Sequence, residues 1–387
     1  MAYDRELSFV YRNPTKIIFE ENSVNEVGME VEELNCTKAF VVTDKGVAEA
    51  GLAERVEKAL GNKYAGTFDG CIQDSGTHII NEGAEKAKEK GADILVSVGG
   101  GSTIDTAKGM AVLLKEGGKI QDYAGLQMLT RPQTPHIVIP TTAGTGSEVT
   151  YAAVVKDWDK NQKLIFADNF MVANVGILDP TMTAGMPPQL TATTGMDALT
   201  HAIEAIHAMQ AEPIADAMAL HAIRLITAYL PKCVESGDDL FARGQQLLAS
   251  TMAGIAFGNA QVGLVHALAH AAGGLFKVPH GLANSIFLPH VMRYNMDECA
   301  DRYAMIAQAM GLDVKGMGDE EAGEAAASAI LDLTQQMGVP QKLNDVGVPE
   351  DGLQDLADLA LSDGSIVYNP KPVFDTEEIL GVLKKAF

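Results

Sequence analysis

The chain has 387 residues, 47% apolar and 21% charged, the composition of a folded globular protein rather than a disordered or fibrous one. Fifty-one acidic against 29 basic residues leave a formal net charge of -22, a field that repels phosphate backbones and anionic lipid, so neither nucleic acid nor a membrane is an expected partner. The opening stretch MAYDRELSFVYRN has no signal-peptide core, no run approaches the roughly 18 apolar residues of a membrane span, and Cys36, Cys71, Cys233 and Cys299 are scattered as in a reducing compartment. A cytoplasmic protein of about two domains is expected.

In chain order, KAFVVT (38–43), ADILVSVGG (92–100) and PHIVIPTT (135–142) read as apolar strands, separated by the helix-like GTHIINEGAEKAKEKG (76–91) and DTAKGMAVLLK (105–115). Strands alternating with helices predict a mostly parallel sheet in a Rossmann-like variant of the dinucleotide-binding α/β domain. Between 151 and 178, YAAVVKD and KLIFAD flank the polar WDKNQ, and ANVGILD follows; this predicts a hairpin covering the edge of the sheet, then a returning strand. From MPPQLTATTGMDALTHAIEAIHAMQ onward, Ala-, Leu- and Met-rich stretches at helical spacing predict an all-α second half. Pro187 and Pro188 mark the change. The expected division is an NAD-binding α/β domain over 1–185 and a helical metal-binding domain over 186–387, with the active site in the cleft between them.

SVGGGSTIDTAKG (97–109) runs from a strand through three glycines into a helix that Ser102 or Thr103 can cap. Gly99, Gly100 and Gly101 leave room for a diphosphate, and the helix N-terminus offers free N–H groups and a favourable dipole. Glycines alone are equally a tight turn, and the spacing is neither G-x-G-x-x-G nor a P-loop. The second polar loop after a strand, PTTAGTGSEVT (140–150), favours a nucleotide site at the carboxyl edge of the sheet. Asp44, closing KAFVVTD, can accept from ribose hydroxyls and repel a 2′-phosphate, which favours NAD over NADP; a turn-capping aspartate is the competing reading.

GMDALTHAIE (195–204) places Asp197 and His201 four apart on one helical face, and HALAHAAGGLFKVPH (266–280) does the same for His266 and His270. Gly273, Gly274 and Pro279 should end that helix, leaving His280 in the following loop, able to fold back. One carboxylate and three imidazoles suit Fe(II) or Zn(II) better than Ca(II) or Mg(II).

Asp197-x3-His201 with His266-x13-His280, together with GGGSTIDTAKG, PTTAGTGSEVT, DPTMTAGMPPQLTATTGMDALTHAIE and PHGLANSIFLPHVMRYN, resembles the iron-dependent (group III) alcohol dehydrogenases over nearly the whole chain, less so in the last 80 residues. The resemblance implies a dehydroquinate synthase-like architecture, NAD(H) and Fe2+ (or Zn2+) as cofactors, and a homodimer or larger homo-oligomer. It implies metal ligation by Asp197, His201, His266 and His280, with His270 on a proton path; helical rise sets His270 about 6 Å along the axis from His266. It further implies Asp44 on the adenosine ribose, Gly100, Gly101, Ser102, Thr103 and Asp105 around the diphosphate, and Thr141, Thr142 and Thr145 near diphosphate and nicotinamide, with Val154 and Lys163 as further cofactor contacts. The chain departs from the family at QDSG (73–76), where Asp74 replaces an asparagine that faces the cofactor, and at Ala152, where relatives carry asparagine.

The expected reaction is reversible hydride transfer between a short-chain primary alcohol, diol or substituted alcohol and the nicotinamide, the alcohol oxygen being bound to a divalent metal that lowers its pKa. His270 relays the proton. Lys277 can face an anionic substituent, although an exposed loop lysine is the simpler reading. The rival readings are a glycerol dehydrogenase-like or dehydroquinate synthase-like enzyme, the latter needing a basic pocket this chain does not display, and a metal- and nucleotide-binding regulatory protein.

Overall fold

The strands are β1 (Lys16–Phe19), β2 (Ala39–Asp44), β3 (Tyr64–Cys71), β4 (Ile94–Gly99), β5 (Gly125–Leu126), β6 (His136–Pro140), β7 (Ala152–Asp157), β8 (Gln162–Ala167) and β9 (Val175–Leu178), of which β4 and β6 are apolar runs closed by glycine and by proline. The computed structural model describes residues 7–158 and 162–387; the middle of WDKNQ and the first six residues of the chain lie outside them.

Among the described residues, six strands form one sheet in the order β1-β9-β6-β4-β2-β3, every pairing parallel. β4 and β6 are buried at each residue, as near-continuous apolar runs are when both faces of a parallel sheet are covered. Alternate side chains of β2 and β4 separate two cores. Phe40, Val42 and Leu95 pack with Ile80 and Ala84 of helix Thr77–Glu89 and with Met110 of helix Gly101–Glu116. Val41, Val96 and Val98 pack on the other face with Val31, Val56 and Leu60.

The hairpin is present as antiparallel β7 and β8, which make a separate three-stranded sheet with the two-residue β5. The expected returning strand is β9, which pairs with β1 and β6 inside the main sheet, fully buried, as its sequence VGIL requires; the hairpin differs from expectation in pairing into its own sheet and not along the edge of the main one.

Two compact units follow from the packing: residues 13–186 with 237–247, and residues 7–12 with 187–236 and 248–387. The second is helical, its elements including Pro188–His207, Pro213–Glu235, Leu264–Phe276 and His280–Tyr294, packed around a core rich in buried Ala, Leu and Ile. Its helices approach closely where glycine permits. A Cβ on Gly195 would meet Leu230 Cδ1 at 2.2 Å, and one on Gly281 would meet the Thr193 carbonyl oxygen at 2.3 Å and Asp197 Cβ at 3.2 Å. No single helix among the described residues is long and apolar enough to cross a membrane.

Two helix boundaries differ from expectation. Helix Leu264–Phe276 continues through Gly273 and Gly274 and stops at Lys277, which takes a left-handed φ of 60°. His280 is then not in a loop: Pro279 stands at the N-cap and His280 opens helix His280–Tyr294. Glycine costs an interior helix only about 1 kcal/mol, which tertiary packing outweighs, whereas proline is well suited to a helix start.

Candidate metal centre and nucleotide cradle

Helix Pro188–His207 presents Asp197, His201 and Glu204 on one face at spacings of four and three. Helix Leu264–Phe276 brings His266 to the same place: one donor atom from each of Asp197, His201 and His266 lies within 4.8 Å of the others, and all three residues are buried. His280 joins them because Gly281 lets its helix press against Thr193 and Asp197; His280 Nε2 is 3.6 Å from Asp197 Oδ1. Asn284, one turn further on, donates from Nδ2 to Asp197 Oδ1 at 2.7 Å and lies 3.2 Å from His280 Nε2 and 3.4 Å from His266 Nε2.

The donor set fits a divalent transition ion. Burial, with the imidazoles of His201 and His270 nearby, holds His266 well below the usual histidine range, so it is neutral, the ligating form. His201 Nδ1 is buried without a hydrogen-bond partner, and the His201 ring stacks on Phe257 at 4.2 Å between centroids. Three nitrogen donors and one carboxylate suit Fe(II) or Zn(II). The side chains of Asp197 and His266 are 5% and 4% exposed, whereas that of His280 is 36% exposed, so the cluster opens on the His280 side.

His270 lies on that open side. Its ring is 6.1 Å from that of His266 and stacks on that of His280 at 5.3 Å. His270 Nδ1 bonds to Asp363 Oδ2 at 2.8 Å, and Ser365 N donates to Asp363 Oδ1. Burial raises the Asp363 carboxyl, but His270 and Ser365 outweigh it and hold the group well below the usual carboxylate range. Sequence reading missed Asp363, 93 residues from its partner; the one local signal is D-x-S, in which an aspartate caps the short 3-10 helix Gly364–Tyr368. Glu204 was also missed, although it continues the Asp197 and His201 face; burial raises its carboxyl against the lowering effects of His207 and of the Gly263 and Val265 N–H groups. Lys277 Nζ donates to the Gly274 carbonyl, so this lysine closes its own helix.

In the sheet unit the strand order switches between β2 and β4, whose neighbours diverge; the carboxyl ends at such a point are where open α/β sheets bind ligands. Asp44 ends β2, Gly99 ends β4 and Pro140 ends β6 in register with Gly99, and Thr141 N donates to the Gly99 carbonyl at 3.0 Å. The glycines serve close approach: a Cβ on Gly100 would meet Thr142 Oγ1 at 3.2 Å, and one on Gly101 would meet Thr145 Cγ2 at 2.7 Å. Ser102 and Thr103 are not the cap of the helix, contrary to expectation. The N-cap is Gly100, which has no side chain to offer, so no side chain caps this helix start, the kind of helix end whose N–H groups can bind an anion. Ser102 Oγ instead accepts from Asp74 N at 3.2 Å, and Thr103 Oγ1 donates to Asp44 Oδ2 at 3.3 Å. Asp74 has a left-handed φ of 56°.

Asp44 caps helix Lys45–Glu49 by accepting from Val47 N. Asp105 braces the second loop: Oδ1 accepts from Ser147 Oγ at 2.7 Å and Oδ2 from Val154 N at 3.0 Å. Beneath it, the buried Lys108 donates to Thr150 Oγ1 and the Ala152 carbonyl and lies 3.9 Å from Asp105 Oδ1. The structure thus brings Asp44, Asp74, Gly100, Gly101, Ser102, Thr103, Asp105, Thr141, Thr142, Thr145 and Val154 into one neighbourhood. Lys163 is exposed on β8, paired with Lys156.

Comparison with known proteins accounts for both halves. Residues 14–180 match the model of the iron-containing alcohol dehydrogenases and residues 191–387 that of the C-terminal part of the Fe-containing alcohol dehydrogenase family. The chain is 38% identical to the NAD-dependent methanol dehydrogenase of Bacillus methanolicus, over 96% of this chain and 98% of that protein. It is 39% identical to the 1,3-propanediol dehydrogenase of Klebsiella pneumoniae, over 98% and 99%. A crystal structure of a 1,3-propanediol oxidoreductase superposes with a TM-score of 0.96 at 38% identity, covering 98% of this chain and all of that one.

Proposed function

The chain belongs to the iron-containing alcohol dehydrogenase family, and from that premise we propose that it interconverts a short-chain primary alcohol, diol or substituted alcohol and its aldehyde with NAD(H). The observation that carries the reading is the convergence of Asp197, His201 and His266 donors within 4.8 Å, with His280 Nε2 3.6 Å from Asp197. These four residues would hold the divalent metal, and the Gly99–Gly101 turn with the facing Thr142 and Thr145 would receive the diphosphate of the nucleotide. When bound, the metal supplies Lewis acidity at the alcohol oxygen and the nicotinamide exchanges the hydride.

What the chain contributes is placement and proton handling. His270, tied through Nδ1 to Asp363, keeps Nε2 to take up or return the hydroxyl proton, the carboxylate fixing the ring's orientation. Its position beside His280, on the open side of the cluster, supports this role. Asp44 at the end of β2 supports NAD over NADP, since a second anion beside it is repelled. We extend the reading to a cytoplasmic homodimer or larger homo-oligomer with no nucleic-acid or membrane partner: the family resemblance supports the assembly, and the scatter of four buried cysteines supports a reducing compartment.

The test is a panel of short aldehydes and diols, acidic ones included, assayed with NADH and NAD+ after anaerobic Fe(II) or Zn(II) loading. Metal-dependent turnover is expected, with His266→Ala losing the metal by elemental analysis and about 10³-fold or more in kcat/KM. No turnover across the panel by the loaded protein sinks the activity; stoichiometric metal in His266→Ala sinks the ligand assignment.

A further inference from the structure

Glu204 stands three residues after His201 on helix Pro188–His207 and is completely buried. Its Oε1 accepts the backbone N–H of Val265 at 2.8 Å, and the Gly263 N–H also donates to this carboxylate. Gly263 is the N-cap of helix Leu264–Phe276 and has no side chain with which to cap it, so Glu204 supplies the cap from a neighbouring helix, at the end where the dipole favours negative charge. That occupies one oxygen. The other, Oε2, bonds to Nδ1 of His266, two residues inside the helix being capped.

The carboxylate decides where the shared hydrogen sits. Glu204 receives the Val265 and Gly263 N–H groups as a helix-capping carboxylate, and an ionised carboxylate oxygen can only accept, so the hydrogen between Oε2 and the ring is on His266 Nδ1 and Nε2 is bare. Asn284 agrees with that assignment: one Nδ2 hydrogen goes to Asp197 Oδ1 at 2.7 Å, and the other faces His280 Nε2 at 3.2 Å and His266 Nε2 at 3.4 Å.

We propose that Glu204 is a positioning residue of the metal centre: its carboxylate fixes the Nδ1–H tautomer and ring angle of His266, so that the Nε2 lone pair points into the Asp197, His201 and His280 donors before any ion arrives. A helix cap needs one acceptor, and any small polar residue at position 263 could provide it. Drawing the cap from a second helix makes one carboxylate serve the helix start and the ligand together. Outer carboxylates of this kind commonly govern metal affinity. The inference rests on the metal reading above and adds to it a residue that touches neither ion nor substrate.

Glu204→Gln is nearly isosteric. Its amide oxygen can keep the backbone N–H bonds, which turns the amide N–H toward His266 Nδ1 and drives the imidazole hydrogen to Nε2, into the donor cluster. The full-length protein, stripped of metal, is titrated with Zn(II) and with Fe(II) against a competing chelator, and the His266 tautomer is read by ¹⁵N-histidine NMR of the metal-free protein. Expected for Glu204→Gln are a metal Kd weakened about 10- to 100-fold and a shift of the His266 signal to the Nε2–H form, with the metal-free Tm near that of the parent. Glu204→Asp, which keeps the charge but shortens the reach, should fall between and serves if the glutamine variant does not fold. Parent affinity in a folded variant, with only the metal-free Tm lowered, makes Glu204 a helix cap and overturns the inference alone. A parent protein that binds neither ion overturns the metal reading and this inference with it.

Discussion

In the helical unit the candidate ligands are side chains brought together from three helices, Asp197 and His201 four apart on one and His266 and His280 on two others, with close helix packing at Gly195 and Gly281. In the sheet unit the candidate cradle is backbone: Gly100 and Gly101 turned against Thr142 and Thr145, with the first turn of a helix left uncapped. The carboxylates divide the same way. Asp197 lies among imidazoles with Asn284 donating to it, whereas both oxygens of Asp105 are taken by Ser147 and Val154. A metal site needs charged donors that converge. A diphosphate site needs donors of the opposite polarity, so an aspartate nearby is useful only when its charge is spent on the protein.

The sharpest test of that contrast is Asp105→Ala. Buried Lys108 would lose the countercharge at 3.9 Å, and the second loop would lose its anchor on Ser147. Burial already lowers the Lys108 ammonium and raises the Asp105 carboxyl, each opposed by the other. Breaking a buried pair from one side costs about 3–5 kcal/mol, read as a fall in the denaturation midpoint, and the double variant Asp105→Ala with Lys108→Met should recover part of it. A fall below about 1 kcal/mol would return Asp105 to the role of a free, ligand-facing carboxylate.

The same contrast explains how far the sequence could be read. β2, β4 and β6 are continuous apolar runs and were legible as parallel strands. β1 is four residues long and β3, YAGTFDGC, breaks its pattern with two glycines and an aspartate at the sheet edge, so neither announces itself. Asp197, His201, His266 and His270 were legible because i, i+4 spacing is local. His280 was expected in a loop, since only tertiary packing carries a helix through Gly273 and Gly274. The partnerships of His270 with Asp363 and His266 with Glu204 span 93 and 62 residues and leave no periodic trace. The family resemblance implied Asp105 around the diphosphate; its bonds to Ser147 and Val154, 42 and 49 residues away, likewise leave no local trace.

Within the helical unit, His270 and its carboxylate should be separable from the ligands. His270→Ala is expected to keep stoichiometric metal and lose about 10²-fold in kcat, and Asp363→Asn to lose a smaller part of that. Asp363 titrates below its unfolded value, so its contribution to stability is present above about pH 4 and fades as pH falls through its depressed folded value. Equilibrium denaturation should accordingly show the gap between parent and Asp363→Asn widest near pH 6 and narrowing below pH 4. Metal loss from His270→Ala would instead make the i, i+4 histidine pair the ligand pair, and a gap independent of pH would reduce Asp363 to a cap of helix Gly364–Tyr368.

The smallest effect on stability is expected at Asp44, where both readings of the residue stand on observed bonds: a cap on Val47 N and an acceptor for Thr103 at the end of β2. Glycine is itself a tolerable N-cap, so Asp44→Gly should cost only a few tenths of a kcal/mol. Its ratio of kcat/KM with NADP to that with NAD should nevertheless rise, because the charge that repels a 2′-phosphate is gone while the Gly99–Gly101 turn and its facing threonines are untouched. An unchanged coenzyme ratio, with the same small loss of stability, would leave Asp44 as a cap and move coenzyme choice elsewhere in the cradle. Asp74 is then the next residue to replace, since its N–H already bonds Ser102 in the first turn of helix Gly101–Glu116.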